Sequence, residues 1–231
     1  RIGETVLNNP DELRRRLHTE FVVADLATNP RYSYCRQYPG ELKLILSLAD
    51  GNTRFQLSDE QLDQCPLSVD ELFYFGQMNT DDVAVDRVEQ VGPLTSLTTR
   101  SVYISAKAAN VPALMSRFQV HAPHGLFLMA PMCHLLCYSP VDPAHILQQL
   151  MAVIHTIRYP MAAASRTPGM LLSRDIIYYS PEGTYETITR PDNPEIHELL
   201  TNVDIDDQTF CTWSYHYLDQ SSAFARRFLS R

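Results

Sequence analysis

Leucines at 42, 44, 46 and 48 fall on alternate positions, and Phe55 and Leu57 resume the alternation after Asp50-Gly51-Asn52. A period of two is the spacing of one strand face, and a turn of this composition joins two strands, so 41–57 reads as a hairpin. DIIYYS and TYETI, either side of Pro181-Glu182-Gly183, read as a second hairpin. GLFLMAPMCHLLCYSP reads as two strands around Pro131-Met132. The pattern changes to a helical one over 143–157, where Ile146, Leu147, Leu150, Met151, Val153, Ile154 and Ile157 form a wide apolar face. Tyr159-Pro160 is expected to stop that helix, because the residue before a proline disfavours helical backbone.

Shorter elements follow from capping signals. Asn9 and Pro10 open a helix carrying Leu13 and Leu17. Ser58-x-x-Gln61 and Ser68-x-x-Glu71 are capping boxes, predicting two short helices over 59–79 with Leu72, Phe73, Phe75 and Met78 toward the core. SVYIS, from Ser101, reads as a strand, followed by a helix with Asn110 or Ala109 ahead of Val111-Pro112 and with apolar Leu114, Met115 and Phe118. The tail predicts a short helix near 194–201, a strand over 209–217 and a last helix with Phe224, Phe228 and Leu229. Strands and helices that alternate only in part, with several hairpins, point to an α+β fold: an antiparallel or mixed sheet with hairpins and packed helices. A chain of 231 residues fits one such domain, divisible into subdomains 1–98 and 99–231.

Charge alters this picture in one respect. The formal net charge is −8, and residues 59–90 carry Asp59, Glu60, Asp63, Asp70, Glu71, Asp81, Asp82, Asp86 and Glu89 against Arg87 alone. Residues 191–208 add Asp192, Glu195, Glu198, Asp204, Asp206 and Asp207 without a base. Such a surface repels a polyphosphate, which excludes nucleic acid as the expected partner. It suits a protein with a basic surface, and Asp59, Glu60, Asp63, Asp70, Glu71, Asp81, Asp82 and Asp86 form the candidate interaction face. The longest apolar run, 125–137, is well short of the roughly 20 residues of a spanning helix, so no membrane is expected. No secretory signal pattern is seen. Five irregularly spaced cysteines do not suggest a disulfide framework, and free thiols in a reducing cytoplasm are expected.

The densest chemistry is HAPHGLFLMAPMCHLLCYSP, with His121, His124, Cys133, His134 and Cys137 inside 20 residues. Zinc needs four donors about 2.0–2.3 Å from one point. Residues four apart in a strand are about 13 Å apart at roughly 3.3 Å per residue, so Cys133 and Cys137 cannot share a metal there. Asp204-Ile205-Asp206-Asp207 begins like a calcium loop but lacks its glycine and distal glutamate, and reads as a turn. No nucleophile elbow, phosphate loop, dinucleotide fingerprint or zinc-protease motif occurs. The expectation is a cofactor-free, metal-free adaptor, immunity-type or regulatory module acting through protein contact. The alternative is a hydrolase-type enzyme whose site is assembled from dispersed residues, with His121, His124, Cys133 and Asp175 as its candidates.

The order of the middle segments resembles a bacterial family of unknown function, the YtpQ-like proteins. The likeness runs through LSDEQLDQCPLSVDEL, RSVYISAKAANVPALM, GLFLMAPMCHLLCYSP and LLSRDIIYYSPEGTYE, spanning roughly residues 41–188. It departs at Cys65-Pro66, where the family tends to have an aromatic. What the resemblance implies is a fold and a cytoplasmic location; it brings no catalytic or binding residues with it.

Overall fold

The alternating leucines 42–48 build the first sheet. In the computed structural model, which describes residues 4–25, 30–51, 53–190 and 193–230, β3 (Leu42–Asp50) pairs antiparallel along its length with β1 (Leu17–Val23). Its other edge is shared end to end by β2 (Arg36–Tyr38) and β4 (Thr53–Gln56). The first hairpin is therefore as read from the alternation; Asn52 of its turn, like Asp192, lies outside the described residues. Ahead of the sheet, α1 (Glu4–Leu7) leads to α2 (Pro10–Arg16), whose Asn9 side chain accepts from the N–H groups of Asp11 and Glu12.

Both capping boxes form. Gln61 accepts the N–H of Ser58 at 2.9 Å at the start of α3 (Asp59–Leu62), and Glu71 accepts that of Ser68 at 2.8 Å at the start of α4 (Val69–Asp82). Within α4, Leu72 and Phe73 are buried and Phe75 is half-buried, but Met78 faces solvent rather than the core. Gly76 explains the close fit: a Cβ there would sit 3.2 Å from Leu46 and 3.3 Å from the His18 backbone. At the other end of α4, the Nζ of buried Lys107 donates to the Thr80 and Asp81 carbonyls at 3.0 and 2.6 Å, satisfying helix-end acceptors.

The second sheet has the order β10-β9-β7-β8-β6-β5, all antiparallel, and comprises β5 (Arg87–Val91), β6 (Leu94–Thr98), β7 (Leu126–Met132), β8 (Leu135–Pro140), β9 (Ile177–Tyr179) and β10 (Tyr185–Thr187). Residues 87–98 thus join the second sheet. Leu126, Leu128, Leu136 and Leu97 on one face join the leucines of β3, α4 and the helix α5 (Val111–Arg117) in a single core. Phe127, Met129 and Cys137 on the other face pack against α6 (Ile146–Ser165), α7 (Pro194–Thr201), α8 (Asp207–Tyr217) and α9 (Ala223–Phe228). The architecture is α+β.

Besides Met78, several expectations are corrected. Leu17, expected on the first helix, is the first residue of β1, and Leu147, expected on the apolar face of the long helix, is exposed. Residues 101–105 are not a strand: the Thr99 and Ser101 hydroxyls accept the N–H groups of Ser101 and Tyr103, coiling the backbone into a turn and a 3-10 helix, Ile104–Ala109. Residues 209–217 are helical. Asp206 caps α8 by accepting the Thr209 N–H at 3.0 Å, and buried Phe210, Ser214 and Tyr217 are spaced by four and three. The helix over 143–157 begins later and continues through Pro160 to Ser165. Proline removes one helix bond, a cost of about 3 kcal/mol. Burial of Met161, Ala162 and Ala164 beyond it keeps the helix going.

Leu150 of α6 is fully buried between the sheet and the outer helices. Leu150→Ala is expected to lower unfolding free energy by about 2–5 kcal/mol, measured by urea titration. An unchanged midpoint would contradict the packing.

Candidate functional site

On β1, β3 and β4 the residues between the core-facing ones share the opposite sheet face. Register sets His18 beside Ser47, Ser47 beside Gln56, Glu20 beside Ile45 and Arg54 beside Ala49. Glu20 is only 2% exposed. Its Oε1 accepts from Gln56 Nε2 at 3.1 Å and forms an ion pair with Arg54 Nε at 3.3 Å, while Oε2 has no hydrogen-bond partner. Burial pushes this carboxyl up from its ordinary value, with Arg54 and then Gln56 acting against the shift. Tyr103 covers the group: its ring stacks on His18 with centroids 4.3 Å apart, and its hydroxyl lies 3.3 Å from that of Ser47. Burial pushes His18 down and Tyr103 up.

A cleft of about 610 Å³ opens beside this cluster, lined in part by Arg54, Arg100, Ser101 and Tyr103. Cys133, at the β7–β8 turn, belongs to the same neighbourhood, and burial raises its thiol, with Arg54 opposing. A raised thiol stays protonated near neutrality and is a poor nucleophile. Burial thus shifts the carboxyl, the thiol and the phenol all toward their neutral forms.

A second cleft, about 390 Å³, contains Ser139, Asp142 and His145, the residue types of a hydrolase triad. The geometry is not that of one. Ser139 Oγ donates to the Pro93 carbonyl at 2.7 Å and accepts from Gln149 Nε2 at 2.8 Å, while His145 bonds Asp142 at 2.9 Å. Gln149 also accepts the Asp142 N–H at 2.8 Å. The network ties the start of α6 to the end of β8. No base is bonded to the serine, and the triad logic requires one.

The dispersed candidates fall in different surroundings. His121 and His124 are exposed on the loop before β7, Cys133 is half-buried at the turn, and Asp175 is buried with its Oδ1 accepting the Thr189 hydroxyl at 2.6 Å. Cys137 is buried in β8, where burial raises its thiol to about 12. Among the described residues, no group of three or more His, Cys, Asp or Glu is placed to hold a metal ion. No helix among them is long and apolar enough to cross a membrane.

The acidic residues do several jobs. Asp59 accepts the N–H groups of Ser33 and Tyr34 at 3.0 and 3.3 Å, and exposed Glu60 lies beside it at a cleft shared with Arg31. Asp63 is exposed at the end of α3. Asp70 pairs with Arg36 at 2.6 Å, and Glu71 serves the capping box, whose hydrogen bonds lower its carboxyl. Asp81 accepts from Gln77 and Asn110 at 2.9 and 2.7 Å, burial raising it. Asp82 pairs with Arg117, and Asp86 accepts the Arg100 N–H at 3.0 Å. Asp70 and Asp82 stand at opposite ends of α4, about 18 Å apart at 1.5 Å per residue. Between them Tyr74 and Met78 are 62% and 47% exposed. Spacing of four makes Asp70, Tyr74, Met78 and Asp82 one stripe on the helix. Met78, Asp81 and Asp82 also border a cleft of about 340 Å³ against α5. The sequence reading assigned Met78 to the core and so missed this apolar centre; the exposed tyrosine one turn earlier was the available signal.

Comparison of the chain with protein-family models, curated proteins and solved structures found no match.

The raised carboxyl of Glu20 has a thermodynamic sign. The folded state holds the proton more tightly than the unfolded chain, so the stability it contributes is present at acid pH and lost as pH rises through the folded pKa. Glu20→Gln should therefore raise the melting temperature relative to wild type at about pH 7–8, with the gain shrinking toward about pH 4. Thermal scans of both proteins against pH check this; a gain that persists undiminished at acid pH would contradict the assignment.

Proposed function

We propose that this chain is a non-catalytic recognition module that binds another protein through the outer stripe of α4. The observation that carries the reading is the exposure of Tyr74 and Met78, one turn apart, between Asp70 and Asp82. Aromatic and methionine side chains are enriched at interfaces, where a central apolar anchor is surrounded by a polar rim. The acidic rim selects a partner with basic residues flanking an apolar one or two. Its own ion pairs, Asp70 with Arg36 and Asp82 with Arg117, are exposed and contribute little to stability, so they can exchange for a partner's charges. Five free cysteines support a reducing, cytoplasmic setting for this activity.

Capture from a lysate with immobilised wild type and with Tyr74→Ser/Met78→Ser tests the reading. Wild type should retain a basic protein whose capture falls as salt rises, because screening weakens rim charges. The double variant should lose that protein while keeping its unfolding free energy within about 1 kcal/mol of wild type, since both side chains are exposed. Identical capture by the two proteins would refute a role for α4. Charge reversal belongs at Asp70 and Asp82, because Asp81 is tied into the fold by Gln77 and Asn110.

A further inference from the structure

Strand β5 buries none of its five side chains, although β6 beside it buries Leu94 and Leu97 completely or nearly so. It is an outer edge of the second sheet, held by its ladder to β6 and by the tight turn at Gly92-Pro93, where Gly92 has φ 58°. Val88 and Val91, on opposite faces of the strand, are 55% and 51% exposed. In a two-residue hairpin the residues flanking the turn form a hydrogen-bonded pair, and such pairs recur at every second position. Val91, Glu89 and Arg87 therefore direct their N–H and C=O groups to β6. Val88 and Gln90 direct theirs to the open edge.

We propose that this edge pairs with β5 of a second copy of the chain, antiparallel about a two-fold axis at Val88. The register sets Arg87 opposite Glu89 of the second copy and Glu89 opposite its Arg87, with the two Val88 side chains side by side. An axis at Glu89 or at Arg87 would oppose like charges, which destabilises a cross-strand pair. An axis at Gln90 would run Arg87 onto the turn proline. Edge charges usually guard a strand against pairing; here their order, positive, apolar, negative, complements itself under the two-fold operation. Arg87 and Glu89 already pair within the strand, so both side chains lie on one face and can turn to the neighbouring copy. The isologous contact extends the six-stranded sheet across the axis. A five-residue strand pair buries less than the roughly 1,200 Å² of a standard stable interface, so the dimer forms reversibly and depends on concentration. This contact is separate from the α4 stripe and does not rest on the function proposed for it.

Sedimentation velocity over a concentration series reads the equilibrium. Wild type should shift from monomer to dimer as concentration rises. Val88→Pro, which removes an outward N–H without touching the ladder to β6, should remain monomeric with an unchanged melting temperature. Arg87→Glu and Glu89→Arg should each be monomeric alone, and mixing these two single variants should restore a dimer, because opposite charges then face each other at both positions. A wild type that stays monomeric throughout, or a dimer that survives Val88→Pro and both charge variants, would overturn the proposal.

Discussion

The layers of the molecule are built against β7, whose side chains alternate between two separate cores. Leu126, Leu128 and Ala130 pack with the first sheet, α4 and α5, while Phe127 and Met129 pack with the helices behind the second sheet. A strand placed this way has no solvent face, which is why its sequence is a nearly unbroken apolar run instead of an alternation with polar residues. The two cores are therefore not independent. Anything that lifts β7 from one exposes apolar surface to water in the other, at roughly 25 cal/mol per Å².

Helix α4 joins this interior to the outer surface. Leu72, Phe73, Gly76 and Thr80 face inward, and the Thr80 hydroxyl accepts the Thr19 N–H at 2.9 Å, fixing the helix on β1. Its N-terminus is closed by the Ser68–Glu71 box and its C-terminus by Lys107, whose ammonium burial pushes down to about 8. With both ends satisfied from within the chain, the outward residues are free of structural duty, and the stripe Asp70, Tyr74, Met78, Asp82 is held on a rigid support. The net charge of the sequence thus says less than its placement. Asp59, Asp81 and Asp86 are occupied with backbone and amide donors.

Much of the fold was legible because local and tertiary signals agreed. The leucine alternation of β3, the caps of α2, α3 and α4, and the hairpin around Glu182-Gly183 all recur in the structure. Misreadings arose where one local signal opposed a stronger one. The aromatics of 209–217 favour strand, yet the Asp206 cap and the four-and-three spacing of Phe210, Ser214 and Tyr217 prevail. Pro160 speaks for a stop, yet the apolar face continues past it. The cluster around Glu20 could not be read from sequence at all. Its members lie on three strands and two turns separated by up to 115 positions, and only register and burial bring His18, Glu20, Arg54 and Cys133 together.

Gly125, at the entry to β7, has φ +100°, and a Cβ there would come within 2.4 Å of the Tyr178 ring and 2.5 Å of the Tyr179 carbonyl. Both constraints point the same way: the backbone turn disfavours any side chain, and the space for one is already taken by β9. The position is fixed by architecture alone, whatever the molecule binds. Surface residues such as Tyr74 can drift with a change of partner, but a descendant that keeps the two-core arrangement must keep a glycine ahead of its central strand and an aromatic packed over it. That pair is a fold signature by which far-diverged kin could be recognised after every functional residue had changed.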